Sequence, residues 1–192
     1  MRNRYKLEIA YEGSKFHGWQ QQHGKQEEIQ ASISSTLLKA IQKSTSCEDS
    51  SLHGSGRTDV GVHARMQTAH METTTRLPPE VLLRAINSYL PPEIRVLSLN
   101  LVDVKFHAQR DVRTKCYRYF ILQKTAPHGI PWPFLEKWTW FLSHPLDTSA
   151  MREGLQALEG KHDFAAFQNI GTPVPHTVRE IFAAELIAHD WQ

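Results

Sequence analysis

Gly54 to His70 reads G-S-G-R-T-D-V-G-V-H-A-R-M-Q-T-A-H. Three glycines, Gly54, Gly56 and Gly61, bracket Arg57, Thr58 and Asp59. Glycine allows tight turns and close backbone approach, so the stretch is a loop that holds one basic and one acidic side chain in a fixed pose. It lacks the Gly-Lys-Ser/Thr ending of a phosphate loop. Its glycine spacing and flanks also fail the dinucleotide fingerprint. A plain turn with an Arg–Asp surface pair is the alternative. The loop runs into Met66–Thr73, whose composition suits a strand.

Working outward, Tyr5, Leu7, Ile9 and Tyr11 alternate with Lys6, Glu8 and Ala10, the pattern of a half-buried strand. Ile29, Ile33, Leu37, Leu38 and Ile41 share one helical face, and Ser44–Ser51 reads as a polar loop. Downstream, Pro78 and Pro79 open a helix whose inner face is Val81, Leu82, Ala85, Ile86, Tyr89 and Leu90, and Pro91 and Pro92 close it. A strand from Ile94 to about Val104 follows, so residues 1–105 are ordered β-α-β-α-β. Residues 106–192 begin alike. Lys115–Gln123 reads as a strand with Tyr117, Tyr119 and Ile121 on one face, and Pro127–Pro145 as a long aromatic-containing loop. Asp147 or Thr148 caps a helix carrying Met151, Leu155 and Leu158, with Gly160 at its end. Phe164 and Phe167 read as core, and Glu180–His189 as a strand. The second half thus stops after β-α-β, one helix and one strand short of the first.

The 192 residues include 22 Lys plus Arg and 20 Asp plus Glu, a net charge of +2 that advertises no global basic field. The charge is uneven: Leu101–Thr125 holds Lys105, Arg110, Arg113, Lys115, Arg118 and Lys124 against Asp103 and Asp111, or +4. Phe106, Tyr117, Tyr119 and Phe120 interleave with these charges. Basic groups hold phosphates and aromatic faces stack on unpaired bases, a combination that suits single-stranded or loop RNA; a solvated strand face beside its core face is the alternative. Apolar runs fall far short of the about 18 residues of a membrane helix, and the charged N-terminus excludes a signal-peptide core. Cys47 and Cys116 make neither a disulfide framework nor a four-thiolate zinc site. The 11 histidines lack metal-ligand spacing and read as scattered structural or surface residues. These features describe a soluble, cytoplasmic protein with no metal, nucleotide or redox cofactor.

The motifs taken together resemble the tRNA pseudouridine synthases of the TruA type. Gly56-Arg57-Thr58-Asp59-x-Gly61-Val62-His63-Ala64 is similar to that family's catalytic signature, continued by Gln67-x-Ala69-His70. Tyr5-x-Leu7-x-Ile9-x-Tyr11-x-Gly13 and Phe16-His17-Gly18-Trp19-Gln20-Gln21-Gln22 resemble its opening strand and loop, with Gln30 where its first helix begins. Phe106-His107-Ala108, Lys115-x-Tyr117-Arg118-Tyr119 and Gly160-x-His162-Asp163-Phe164 follow in the family's order. The chain departs at Glu12, where the family commonly has Asp, and at Ala108-Gln109-Arg110, where it has Ala-Arg-Phe.

The resemblance implies an α+β pseudouridine synthase fold. Its two related halves share a mixed, mainly antiparallel sheet with helices on one face, and a basic cleft for tRNA lies between them. It implies conversion of uridine to pseudouridine at positions 38–40 of the anticodon stem-loop, by a homodimer without a cofactor. Asp59 is then the catalytic carboxylate, as nucleophile or as base. Tyr117 stacks on uracil or moves its C5 proton. Arg57 touches the RNA backbone or fills the space of a flipped nucleotide. Thr58 and His63 bind substrate beside them, and Lys115, Arg118, Arg110 and Arg113 contact phosphates. The family also continues into a Phe-Leu-x-x-Met-Val-Arg segment whose arginine pairs with the aspartate. Its position beyond Gln192 leads to the expectation of an incomplete second half and of weak catalysis by these 192 residues alone. The competing expectation is a non-catalytic tRNA-binding remnant.

Overall fold

A computed structural model describes residues 2–20, 31–123, 134–135, 137–168 and 176–188. The chain forms two compact units, Met1–Tyr117 and Arg118–Gln192.

The first unit is a four-stranded sheet covered by two helices. Its elements are β1 (Asn3–Tyr11), α1 (Ile33–Thr45), β2 (Ser51–Gly54), β3 (Ala64–Thr73), α2 (Pro79–Ser88) and β4 (Ile94–Val102). The strand order is β2-β3-β1-β4, with every neighbouring pair antiparallel. The alternation in β1 is realised residue by residue: Tyr5, Leu7, Ile9 and Tyr11 are buried, while Lys6, Glu8 and Ala10 are not. These four meet Ala69 and Met71 of β3, Ile94, Val96 and Leu99 of β4, Ile33, Leu37 and Ile41 of α1, and Leu82 and Ile86 of α2 in one core. Fully burying each large aliphatic side chain contributes about 1.5–3 kcal/mol. α1 is started by Ser32, which accepts from the Ser35 amide at 3.1 Å while the Ser35 hydroxyl accepts from the Ser32 amide at 3.1 Å. That reciprocal pair satisfies two of the amides a helix start leaves open. Gln30 and Ile29, placed at this helix by the sequence, lie outside the described residues. α2 begins on Pro79, where a missing N–H costs nothing. Its inner face is narrower than its periodicity predicts, because Val81 and Tyr89 are exposed and Lys43 lies over the Tyr89 ring.

The opposite sheet face is polar and is covered by the turn that follows β4. Arg4 forms an ion pair with Glu72 across β1 and β3 and donates to the Phe106 carbonyl at 2.7 Å. His53 and His70 are cross-strand partners of β2 and β3, with rings stacked 5.0 Å apart, and His107 lies 4.8 Å from His70. His70 is 2% exposed and its Nδ1 accepts from the Ala108 amide at 3.1 Å. Three of the histidines expected to be scattered are therefore one stack. The described residues contain no group of His, Cys, Asp and Glu able to hold a metal ion. The segment 106–117, grouped with the second half by its sequence, belongs to the first unit, and Ala108 is buried there.

The second unit pairs β5 (Ile121–Gln123) in parallel with β6 (Trp140–Leu142), and β7 (Gly160–Asp163) antiparallel with β8 (Val178–Ile181). Between them lies α3 (Thr148–Leu158), capped by Asp147, whose carboxylate accepts from the Ser149 and Ala150 amides at 3.0 Å each. Gly160 follows with φ +96°, a left-handed geometry that glycine adopts without strain. Four expectations need correction. The strand over Lys115–Gln123 forms only at Ile121–Gln123, where β6 supplies hydrogen-bond partners. Tyr117 and Tyr119 therefore share no strand face with Ile121, and they are 73% and 85% exposed. Phe167 is likewise exposed. The last strand is Val178–Ile181, and His189 lies outside the described residues, as do residues 127–133 and 136 of the Pro127–Pro145 segment, whose described part holds β6 where a loop was expected.

Burial of His70, with the positive potential of His53, His107 and Arg4 outweighing Glu72, lowers its pKa to about 4 from an ordinary 6.5. The unfolded chain protonates this histidine at higher pH than the native state does. Its stabilising contribution is therefore complete above the ordinary value and is lost as pH falls toward the native one, a loss of roughly 3 kcal/mol at most. Urea unfolding between these two pH values is expected to give a falling midpoint for the wild type and a flatter profile for His70→Asn, whose amide oxygen retains an acceptor for Ala108. Equal slopes in the two proteins contradict this account.

Candidate active site

The glycine-bracketed loop is the connection between the adjacent antiparallel strands β2 and β3. Its base is closed by three hydrogen bonds. The Ser55 amide donates to the Thr68 carbonyl at 2.8 Å, and the Ser55 hydroxyl to Gln67 Oε1 at 2.9 Å. Gln67 Nε2 donates to the Gly56 carbonyl at 2.7 Å. Gln67 thus uses both ends of its amide to hold the loop's two sides together.

The segment leaving β1 holds the loop from a second side. Tyr11 Oη lies 2.9 Å from Thr58 Oγ1, and the Trp19 amide donates to the Thr58 carbonyl at 3.0 Å. The Gly13 amide donates to His63 Nδ1 at 3.1 Å. Glu12 Oε1 approaches the same ring nitrogen to 3.5 Å. The backbones come close enough to demand glycine. A Cβ on Gly13 would strike the Val62 carbonyl, and one on Gly18, where φ is +71°, would strike that of Thr58. At the tip, the Val62 amide donates to the Asp59 carbonyl at 3.3 Å and Gly61 has φ +77°.

This frame leaves Arg57 and Asp59 exposed at the tip. Among the described residues the two do not pair with each other, and nothing hydrogen-bonds the Asp59 carboxylate. The alternative of an Arg–Asp surface pair is not what the loop forms. Lys115 reaches the loop: its Nζ lies 2.9 Å from where a Cβ on Gly56 would sit. Of the residues singled out from sequence, the first unit therefore brings Arg57, Thr58, Asp59, His63 and Lys115 together. The Thr58 hydroxyl and His63 Nδ1 are engaged inside the protein. Arg113 and Tyr117 are exposed, and neither side chain makes a hydrogen bond among the described residues. Arg110 is exposed on the turn over His70, its amide bonded to the His107 carbonyl at 3.0 Å. Arg118 is exposed at the start of the second unit.

Sequence reasoning gave no role to Tyr11, Trp19 or Gln67, although all three stand in the motif blocks. It also missed the histidine stack. Its signal was present: His53 and His70 lie symmetrically outside the Gly54–Ala69 pair, so any hairpin closing this loop sets them side by side.

More than half of the chain, residues 9–109, matches the family model described as tRNA pseudouridine synthase. A protein of Thermoanaerobacter sp. strain X514 named tRNA pseudouridine synthase A is 36% identical over 174 residues, covering 91% of this chain and 67% of that protein. Its namesake from Bdellovibrio bacteriovorus is 36% identical over 195 residues, covering 100% and 70%. The protein named tRNA pseudouridine synthase A 2 from Bacillus thuringiensis subsp. konkukian is 32% identical over 185 residues, covering 96% and 72%.

The two kinds of glycine in this loop separate by experiment. A Cβ on Gly54 would sit 2.5 Å from Cε2 of the buried Trp19 ring, whereas one on Gly61 meets open space. Gly54→Ala is expected to destabilise by about 1–3 kcal/mol through overpacking. Gly61→Ala is expected to cost about 1 kcal/mol, from its left-handed φ alone. Chemical unfolding of both variants measures the difference, and equal losses contradict it.

Proposed function

The chain belongs to the tRNA pseudouridine synthase family, an isomerase family, and on that premise we propose that it converts uridine to pseudouridine at positions 38–40 of the tRNA anticodon stem-loop. The observation that carries this reading is the exposed Asp59 carboxylate on a loop fixed at its base by Gln67 and at its flank by the segment after β1. Such a loop presents one reactive group in a set direction, which is what an intramolecular rearrangement needs.

The reaction breaks the N1–C1′ bond, rotates uracil and joins C5 to C1′; the C5 proton is lost and N1 gains one. No electron is gained or lost overall. Asp59 acts at the ribose as a base or at the substrate as a nucleophile. The target nucleotide leaves the stack to reach it, and Arg57 contacts the backbone or occupies the place the base has left. Tyr117, an exposed ring ahead of a basic neighbour, stacks on uracil or takes part in moving the C5 proton. Lys115, Arg110, Arg113 and Arg118 contact phosphates, which orient the RNA without reading its sequence. Thr58 and His63 serve the site by holding the loop. The protein works in the cytoplasm as a homodimer and needs no cofactor. Among the described residues, no helix is long and apolar enough to cross a membrane.

Asp59→Ala is expected to lower pseudouridine formation in an anticodon stem-loop transcript by about 10³-fold or more, with tRNA affinity within a few-fold of the wild type. Tritium release from C5-labelled uridine measures the first and filter binding the second. Undiminished turnover in the variant overturns the assignment. Wild-type chain that binds tRNA without any turnover identifies a binding remnant instead. Lys115→Ala is expected to weaken binding equally for different stem-loop sequences and to flatten the salt dependence by about one phosphate contact. A change in sequence preference would argue against a phosphate role.

A further inference from the structure

We propose that Tyr11 is a positioning residue for the reaction, aiming the Asp59 carboxylate through the hydrogen bond between its hydroxyl and that of Thr58. The inference deepens the proposed function and rests on Asp59 being the reacting group.

The Tyr11 ring is fixed before the loop is considered. It ends β1, is 4% exposed, and lies 6.1 Å from the buried Trp19 ring. Its Oη lies 2.9 Å from Thr58 Oγ1. Burial raises the phenol's pKa, against the lowering by that hydrogen bond, so the group stays a neutral hydroxyl. A rigid, buried anchor thus grips the side chain of Thr58.

Thr58 is gripped a second time at its carbonyl, by the Trp19 amide at 3.0 Å. The peptide bond is planar, so a carbonyl held in place also fixes the plane that carries the Asp59 nitrogen and Cα. The Val62 amide, 3.3 Å from the Asp59 carbonyl, holds the residue from its other side. Among the described residues the Asp59 carboxylate has no hydrogen bond of its own, so its direction comes from the backbone on which it stands. Of the two grips on Thr58, only the hydroxyl pair can be removed by substitution without changing the main chain. A misplacement of the order of 1 Å at a reacting group can cost about 10²-fold in rate.

Tyr11→Phe keeps the ring and its packing and removes only the hydroxyl. In the full chain it is expected to lower kcat by about 10- to 100-fold with KM for tRNA within about two-fold. Thr58→Val should act alike, and the double variant should be no worse than either single one, because both remove the same interaction. A second measurement does not depend on turnover. In Tyr11→Phe the Val62 and Trp19 amides should exchange faster, and the Asp59 amide order parameter should fall. Unchanged kcat, or a KM rise alone, overturns the inference even if the wild type is active. A fall in thermal stability with neither kcat nor loop dynamics altered assigns Tyr11 to the core alone. If the wild type makes no pseudouridine, the proposed reaction fails, and unchanged exchange in the loop overturns the Tyr11 inference separately.

Discussion

The antiparallel pairing of β1 with β3 sets the geometry on which the first unit depends. Its register runs from Asn3 opposite Thr73 to Tyr11 opposite Ala64, so the strand that leaves the core and the strand that enters it meet at one end of the sheet. The loop carrying Arg57 and Asp59 feeds β3 at that same end. The segment after β1 must therefore pass alongside the loop, and it does so at van der Waals limit, with Gly13 against Val62 and Gly18 against Thr58. A shift of register by one residue would turn Tyr11 out of the core and remove its hydroxyl from Thr58. The hydrophobic alternation of β1 thus controls the site as much as the core.

The other sheet face is organised by charge and by imidazole. Arg4 ties Glu72 on β3 to the Phe106 carbonyl on the following turn, and His70 receives the Ala108 amide. That turn is the root of the chain that reaches Lys115 beside Gly56. A polar, half-buried face gains little from apolar contact, so the strap is held by hydrogen bonds to groups that must keep their protonation state. The His70 ring holds its proton acceptor because burial and the positive neighbours disfavour the imidazolium. The neutral histidine thus holds the start of the segment whose later residue Lys115 lies beside Gly56.

Much of this was legible in the residues, and the limits have physical causes. β1, β4, α1 and α2 follow from periodicity and from Pro79, since each buries one face, and β3 from its composition, although it buries Ala69 and Met71 on one face and His70 on the other. β2 is hidden: S-L-H-G is four residues at a sheet edge, too few to show a period, between a polar loop read to end at Ser51 and the glycine-bracketed stretch that starts at Gly54. The aromatic alternation at Tyr117 and Tyr119 read as a strand face, yet alternation reports only spacing. A strand also needs a hydrogen-bonding neighbour, which β6 provides no earlier than Ile121. In the site, Arg57, Thr58 and Asp59 were visible because glycines framed them. The residues that hold the loop were not, because Tyr11, Trp19 and Gln67 act across sequence separations that periodicity does not record.

The loop's energetics explain how the Asp59 carboxylate stands in water on a fixed frame. An ionised group buried without a partner carries a desolvation cost of several kcal/mol, and an exposed one avoids it. Rigidity supplied from the backbone side leaves the carboxylate solvated yet aimed. On the proposed reading, the RNA completes the environment: a nucleotide turned out of its stack displaces water from Asp59, and electrostatic interactions there strengthen as the local dielectric falls. The free protein then needs only a stiff frame, which Tyr11, Trp19, Gln67 and His63 provide from three separate places in the chain. On that reading preorganisation is the protein's share and desolvation the RNA's, and the +4 charge of Leu101–Thr125 in a chain of net +2 orients the RNA without a basic field over the whole surface.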